Sequence, residues 1–289
     1  MTFDRAAFVT RNLGFVTEEE QARLATARVF VCGTGGMGGA AIQSLIRAGV
    51  GRLTLADLDA FEVSNLNRQV FATLDTLDRD KAEATRDACL RINPEAGIEV
   101  LGADWTDQAK RLVAEADVVV NGTDDLGASL LLYRTARAAG RPVIDAYAAP
   151  LPSVYVTRPG RPMPEERLGY PTLATPWNRL TAEQRSAAFL REAEYVLTHS
   201  SSRRHVDLRL AGEVAAGRRS RMSWAPMVIS TGTLMAYEAL ALALDRTTAT
   251  DERGWFLNPV AGRVERPRPA AVAAVLRPLV RRALGRMMA

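Results

Sequence analysis

Val29-Phe30-Val31-Cys32-Gly33-Thr34-Gly35-Gly36-Met37-Gly38-Gly39, followed by an apolar-periodic run to Ala48, reads as a strand, a glycine-rich turn and a helix. Four β-prone residues enter a G-x-G-x-x-G turn through Gly33, Gly35 and Gly38, and the turn opens the helix. In this arrangement a parallel sheet offers backbone N–H groups and a helix N-terminus to phosphate. The turn predicts a nucleotide site without choosing the nucleotide, because dehydrogenases, flavoproteins and methyltransferases all use such turns.

Outward from the turn, strands and helices alternate. Thr17 caps a short helix with Glu20 placed for a capping box, and Gly49-Val50-Gly51 turns the glycine-led helix into a second strand, Leu53–Asp57. A helix from about Arg79 ends before Asn93-Pro94, because the residue preceding proline avoids the helical region. Strands follow at Ile98–Leu101, Val118–Asn121 and Pro142–Asp145, separated by helices at Thr106–Ala116 and Ala128–Ala139. The pattern predicts an α/β protein, a Rossmann-like doubly wound and mostly parallel sheet with helices on both faces. Antiparallel strands are expected toward the C-terminal side, at Ser153–Thr157 and in a hairpin of Trp255–Asn258 with Gly262–Glu265.

The 289 residues are read as one domain. It comprises a core over 10–157, an insertion or lid facing the substrate over 158–223, and a closing helix, hairpin and basic C-terminal helix over 224–289. The insertion is expected as a proline-rich loop, a charged helix over Thr181–Leu197 and a polar, basic stretch from Ser200 to Arg221, too long for an idle connection. The terminal segment places Val272, Val275, Leu276, Leu279, Ala283 and Met287 on one helical stripe, interrupted by Pro278.

Charge and composition exclude several classes. The net charge of +4 is concentrated at the end: from Arg263 onward stand seven arginines and one acid, leaving residues 1–262 at −2. The basic character therefore belongs to the tail rather than the nucleotide region and is weak evidence for a polyanion partner. Ala225–Leu244 carries Ser230, Thr231, Thr233 and Glu238 and reads as a buried core helix, so no membrane span is expected. Met1-Thr2-Phe3-Asp4-Arg5 lacks the pattern of a signal peptide. The two cysteines, Cys32 and Cys89, form no disulfide framework and read as small core residues, which points to the cytoplasm.

The residues after the turn narrow the chemistry. Asp57 ends the second strand 19 residues after Gly38, where an acid accepts hydrogen bonds from ribose hydroxyls. A dehydrogenase supplies that much. It has no need of Asp59, of Ser64-Asn65-Leu66-Asn67-Arg68-Gln69, or of Lys81. A triphosphate being cleaved does need cations, and Arg68 offers a bidentate fork and Lys81 a point charge near the same strand ends. Asp124, in the polar turn Gly122-Thr123-Asp124-Asp125, faces the same cleft or caps the helix that follows.

Together the Gly33–Gly38 turn, Gly49-Val50-Gly51, Leu55-Ala56-Asp57-Leu58-Asp59, the Asn65-to-Gln69 element, Lys81 and Arg91-Ile92-Asn93-Pro94 resemble the adenylation core of the ThiF/MoeB family, which includes the ubiquitin-activating enzymes. The likeness covers roughly residues 10–157 and resumes at Ala225-Pro226-Met227-Val228. It implies an adenylyltransferase, a homodimer that uses ATP and Mg²⁺ to adenylate a carboxylate, usually at the C-terminus of a peptide or small protein. Carried onto these positions, it implies that Gly33, Gly35, Gly36 and Gly38 hold the nucleotide and Asp57 the ribose. Asn65, Arg68, Gln69 and Lys81 would surround the phosphates, Asp59 would belong to the same cofactor site, Asp124 would face Mg²⁺, and Arg11 would reach into the partner subunit's site.

The departures are equally informative. The family's sulfur-carrier activators hold zinc with two Cys-x-x-Cys pairs, where this chain has Pro162-Met163-Pro164-Glu165-Glu166-Arg167 and Gly217-Arg218-Arg219-Ser220-Arg221-Met222. No zinc and no enzyme thioester are expected. The leading reading is adenylation of a peptide or small-protein tail, as in maturation of a peptide natural product. Its alternatives are an adenylating dehydratase acting on a tRNA nucleoside, an NAD-dependent oxidoreductase, and an ATP-binding scaffold. Nucleic acid is not expected as a partner except tRNA under the dehydratase alternative.

Overall fold

The structure, a computed structural model, describes residues 3–288. Met1 and Thr2 lie outside the described residues, as do the side chains of Met287 and Met288. Two helices, α1 (Arg5–Val9) and α2 (Glu18–Thr26), precede the sheet, and α2 begins with the Thr17/Glu20 capping box. The alternating part runs β1 (Arg28–Cys32), α3 (Gly36–Arg47), β2 (Arg52–Ala56), α4 (Lys81–Leu90), β3 (Gly97–Leu101) and α5 (Trp105–Glu115). It continues through β4 (Val118–Asn121), α6 (Leu126–Ala139) and β5 (Val143–Asp145). Then come β6 (Ser153–Thr157), α7 (Pro164–Arg167), α8 (Ala182–His199), α9 (Leu208–Ala215), α10 (Ala225–Ala243), β7 (Trp255–Asn258), β8 (Arg263–Glu265) and α11 (Ala270–Met288).

The eight strands form one sheet in the order β3-β2-β1-β4-β5-β6-β7-β8. The first five are parallel, and β6, β7 and β8 continue the sheet antiparallel, as the α/β reading expects. Side chains alternate across each strand. Val29 and Val31 of β1 therefore join one core with Ile42, Leu45, Met235 and Ala239, while Phe30 and Cys32 join another with Trp105, Leu112 and Leu132. Both faces are covered, α3 and α10 on one and α5 and α6 on the other.

Helix α10 is long and apolar enough to cross a membrane by length and composition, but Val228, Met235, Ala236 and Ala239 are buried in the core. It crosses α3 closely because Gly232 has no side chain: a Cβ there would lie 2.3 Å from the Met37 carbonyl oxygen.

The 158–223 segment is ordered in detail. Arg134 of α6 grips the buried Glu165 through two hydrogen bonds of 2.9 and 2.8 Å, and Leu130, Tyr170 and Ala188 pack together. Tyr195 and Val196 of α8 join Tyr147, Tyr155 and Phe256 in a third core on the antiparallel side. Helix α9 falls inside the stretch read as merely polar and basic. Asp207 caps it by accepting from Arg209 N and Leu210 N, a start signal present in the sequence.

One expectation for the C-terminal helix is overturned. Pro278 does not interrupt α11, because both halves are held down: Arg277 and Arg281 flank the proline and pair with Glu194 of α8 at 3.4 and 2.6 Å. Along the stripe Val272, Val275 and Leu279 are exposed, while Ala273 and Leu284, off the stripe, are buried. The ion pairs to the nearly buried Glu194 fix the rotation of the helix, and they place the apolar stripe in solvent.

Candidate active site

The carboxyl ends of β1, β2 and β4 meet where the strand order reverses, the position at which open α/β sheets bind ligands. Gly33 has φ +87°, and three glycines interlock there. A Cβ on Gly38 would sit 1.8 Å from the Gly33 carbonyl oxygen, and one on Gly33 would sit 2.4 Å from the Gly122 carbonyl carbon. The turn can therefore lie against the end of β4 only with glycine at these three positions. Gly36 opens α3 beneath Val228 of α10, whose Cγ1 would be 2.6 Å from an added Cβ.

Asp57 stands immediately beyond β2. Its carboxylate accepts from Thr34 N at 2.7 Å, Thr34 Oγ1 at 3.1 Å and Asp59 N at 3.1 Å, so it braces the glycine turn and the loop after β2 together. That loop folds back on itself: Phe61 N donates to Arg79 O, Asp78 N to Phe61 O, and Lys81 N to Asp59 O, each at 2.9 Å. The closure delivers Lys81, the first residue of α4, onto Asp59, with Nζ 2.8 Å from Oδ2. The Lys81 side chain is 9% exposed and Asp59 71%, so a nearly buried ammonium is held by a carboxylate at the surface.

The Asn65-to-Gln69 element is a tight turn. Asn65 is buried, and its Oδ1 accepts from Glu62 N at 3.0 Å. Its backbone oxygen receives Arg68 N and Gln69 N. Asn65 is thus the clamp that shapes the turn, whereas Arg68 and Gln69 are what the turn presents. The Arg68 guanidinium is steadied by the Ser64 carbonyl at 2.8 Å and Asn67 Oδ1 at 2.9 Å. Gln69 lies beside Gly35, and its buried Oε1 has no hydrogen-bond partner in the protein.

Asp124 follows β4 and is 80% exposed at its side chain. Capping is the work of its neighbour: Asp125 accepts from Ala128 N at 2.8 Å and pairs with Arg185 at 2.5 Å. Asp124 is left facing the cleft, where its nearest cation is Arg221 at 3.8 Å. Arg221 belongs to an irregular strap between α9 and α10 that crosses the cleft. Ser223 O accepts from Asn67 Nδ2 at 3.2 Å, and the Arg221 guanidinium lies over the Phe189 ring.

Arg11 does not join the others. It is exposed in a turn over Thr10–Asn12, and Asn12 ties that turn to Ala48 O at the far end of α3. A helix of 12 residues spans about 18 Å, so Arg11 stands well away from the site of its own chain. Among the described residues no group of three or more His, Cys, Asp or Glu is placed to hold a metal ion. Burial pushes both thiols up, Cys89 to about 12, so neither is a thiolate at neutral pH.

The sequence matches the ThiF family over residues 9–274. The chain belongs to the ThiF family. Molybdopterin-synthase adenylyltransferase of Escherichia coli is 39% identical over 136 residues, which are 47% of this chain and 54% of that one. The sulfur carrier protein ThiS adenylyltransferase of the same organism is 36% identical over 129 residues, 44% of this chain and 51% of that one. The chain thus spans about half the length of the curated relatives it matches. E. coli MccB with ATP superposes with a TM-score of 0.61 at 19% identity, covering 87% of this chain and 67% of that one, a likeness of fold.

One feature escaped sequence reasoning. Asp145, at the end of β5, is buried, which pushes its carboxyl up to about 7 despite a hydrogen bond from Tyr133 Oη at 2.9 Å. Its position at a strand's carboxyl end was the available signal.

Proposed function

We propose that this chain adenylates the carboxylate of a peptide or small-protein tail, consuming ATP and releasing pyrophosphate. What supports the reading is that Gln69 lies against Gly35, Asp57 accepts from Thr34 N, and the loop that follows carries Arg68 and a Lys81 held by Asp59, because a nucleotide that is merely bound needs no such cations. The residues fit the nucleotide: the side-chain-free turn offers amides to phosphate, and Gln69 Oε1 is an unused acceptor beside it. Names of relatives support the substrate class, since the matched proteins are adenylyltransferases for molybdopterin synthase and for a sulfur carrier protein, and MccB has been solved with the peptide MccA.

A carboxylate with a pKa near 4 is already ionised at neutral pH, so the site requires no general base. The turn amides and Asp57 fix the nucleotide so that the substrate oxygen meets the α-phosphorus in line, and the bond to pyrophosphate breaks as the acyl–phosphate bond forms. Arg68 and Lys81 offset the charge that builds on the departing group, and Lys81 is pre-set for this by Asp59. Mg²⁺ held at Asp124 would supply further neutralisation. In a homodimer, Arg11 would serve the partner's site rather than its own. Neither zinc nor a thioester enters the reaction, and the enzyme works in the cytoplasm.

ATP–pyrophosphate exchange tests the reading. A pool of peptides with free carboxyl termini should stimulate exchange, and Arg68→Ala and Lys81→Ala should each lower it by about 10²–10³-fold. Tight NAD binding without peptide-stimulated exchange would overturn it in favour of an oxidoreductase.

A further inference from the structure

Beside the cleft, at the junction of β5 and β6, three tyrosines wall in a guanidinium. Asp145 pairs with Tyr155 across the two strands, so Tyr155 stands at the same sheet level as the carboxyl ends that form the site. Tyr147 stacks on Tyr155 with ring centroids 4.1 Å apart, and Tyr195 of α8 meets Tyr147 edge-on at 6.2 Å. Arg167, at the end of α7, projects into this wall: its guanidinium carbon lies 4.4 Å over the Tyr195 ring, and Nη2 donates to Tyr147 Oη at 2.7 Å.

Arg167 is half-buried, yet among the described residues no carboxylate lies within ion-pair distance of it. Its Nε and the Tyr155 hydroxyl are both buried without a hydrogen-bond partner in the protein. A desolvated cation without an anion costs stability, and folded chains pair such groups unless another molecule supplies the partner. The acids nearby do not meet the need. Asp145 is taken by Tyr133, and Glu192 accepts from Tyr170 Oη at 2.7 Å, with burial raising it toward its neutral form.

Helix α8 links the wall to the cleft: Arg221, 3.8 Å from Asp124, lies over the Phe189 ring, and Arg167 lies over the Tyr195 ring six residues farther along the same helix. Strand β6 is two strand spacings from β4, roughly 10 Å. Extended chain advances about 3.5 Å per residue, so a group seated at Arg167 belongs within about three residues of a carboxylate reacting beside Asp124.

We propose that Arg167 and the Tyr147/Tyr155/Tyr195 wall form a substrate subsite that takes a side-chain carboxylate near the reacting end of the peptide. The proposal rests on the adenylation reading and deepens it, by requiring an acidic residue close to the activated terminus. The planar fork receives the carboxylate, and the phenol rings hold the fork's plane by stacking.

The test is a binding experiment independent of turnover. A synthetic peptide pool with free carboxyl termini, half bearing Asp or Glu in the last three positions and half bearing Gly or Ser there, is passed over the immobilised full chain with Mg²⁺ and a non-hydrolysable ATP analogue, and retained peptides are read by mass spectrometry. The acidic half should be enriched about tenfold on the wild type, and the enrichment should disappear with Arg167→Gln while affinity for the ATP analogue stays unchanged. Arg167→Lys keeps the charge without the fork and should keep only a minor part of the preference; it replaces Arg167→Gln if that variant loses the ATP analogue. Equal retention of both halves by the wild type, or acidic enrichment that survives substitution, overturns the subsite. Acidic enrichment without pyrophosphate exchange leaves the subsite standing and sinks the adenylation reading, and exchange without enrichment does the reverse.

Discussion

Arg221 and Asp124 face each other across the mouth of the cleft at 3.8 Å, both largely in solvent, and this contact joins the strap before α10 to the end of β4. An exposed pair of this kind is worth at most about 1 kcal/mol. Arg221→Ala should therefore leave the melting temperature nearly unchanged. It removes the cation that competes for Asp124, so the Mg²⁺ concentration giving half-maximal ATP–pyrophosphate exchange should fall, by up to about fivefold for 1 kcal/mol. A magnesium titration of exchange checks this, and an unchanged midpoint would show that Arg221 and the metal do not share the carboxylate.

Gly36 and Val228 set how closely α3 and α10 approach at the site. Gly36→Ala places a methyl 2.6 Å from Val228 Cγ1, a branched side chain that cannot swing clear. Overpacking of this sort costs about 1–3 kcal/mol. The single variant should melt lower and bind ATP more weakly, and Gly36→Ala combined with Val228→Ala should recover most of both. Calorimetry and nucleotide titration of the pair measure the recovery.

Asp145 makes stability depend on pH near neutrality. Burial raises its carboxyl to about 7, above the unfolded value of 3.8, so between these values the folded chain holds the proton more tightly and stability falls as pH rises. Asp145→Asn keeps the shape and an acceptor for Tyr133 while removing the charge. The variant should match the wild type near pH 4 and be more stable at pH 8, by on the order of 2–4 kcal/mol. Melting curves from pH 4 to 8 should show the wild type losing stability relative to the variant across that window.

Glu265 works in the opposite sense. Burial pushes its carboxyl up, but hydrogen bonds from Asn258 Nδ2, Ser201 Oγ and Ser201 N outweigh this and hold it at about 2. A depressed carboxyl contributes stability that is present above its unfolded value of 4.5 and is lost as pH falls toward 2. These bonds tie the end of α8 to the β7–β8 hairpin. Glu265→Gln should lower the neutral-pH melting temperature and flatten the wild type's loss of stability below pH 4.5. Hydrogen exchange should localise the loosening to residues 200–205.

The local code of this chain was legible wherever one residue's conformation or period sufficed. The glycine turn, the Thr17/Glu20 box, the Asn93-Pro94 stop and the alternation of Val29, Phe30 and Val31 each report a short-range constraint, and they determined the parallel sheet and the position of its nucleotide-facing end. The order of Asp57, Arg68 and Lys81 along the chain also announced a charged cleft. Tertiary structure alone decided what depends on partners distant in sequence. The rotation of α11 follows from Glu194, 83 and 87 positions from Arg277 and Arg281, and settles which side of the helix meets solvent. Asp125 rather than Asp124 became the cap, because only Asp125 reaches Ala128 N, and this left Asp124 to the cleft. Arg167 carried no local signal at all: a guanidinium becomes part of a site through what surrounds it, and that is fixed only when the chain closes.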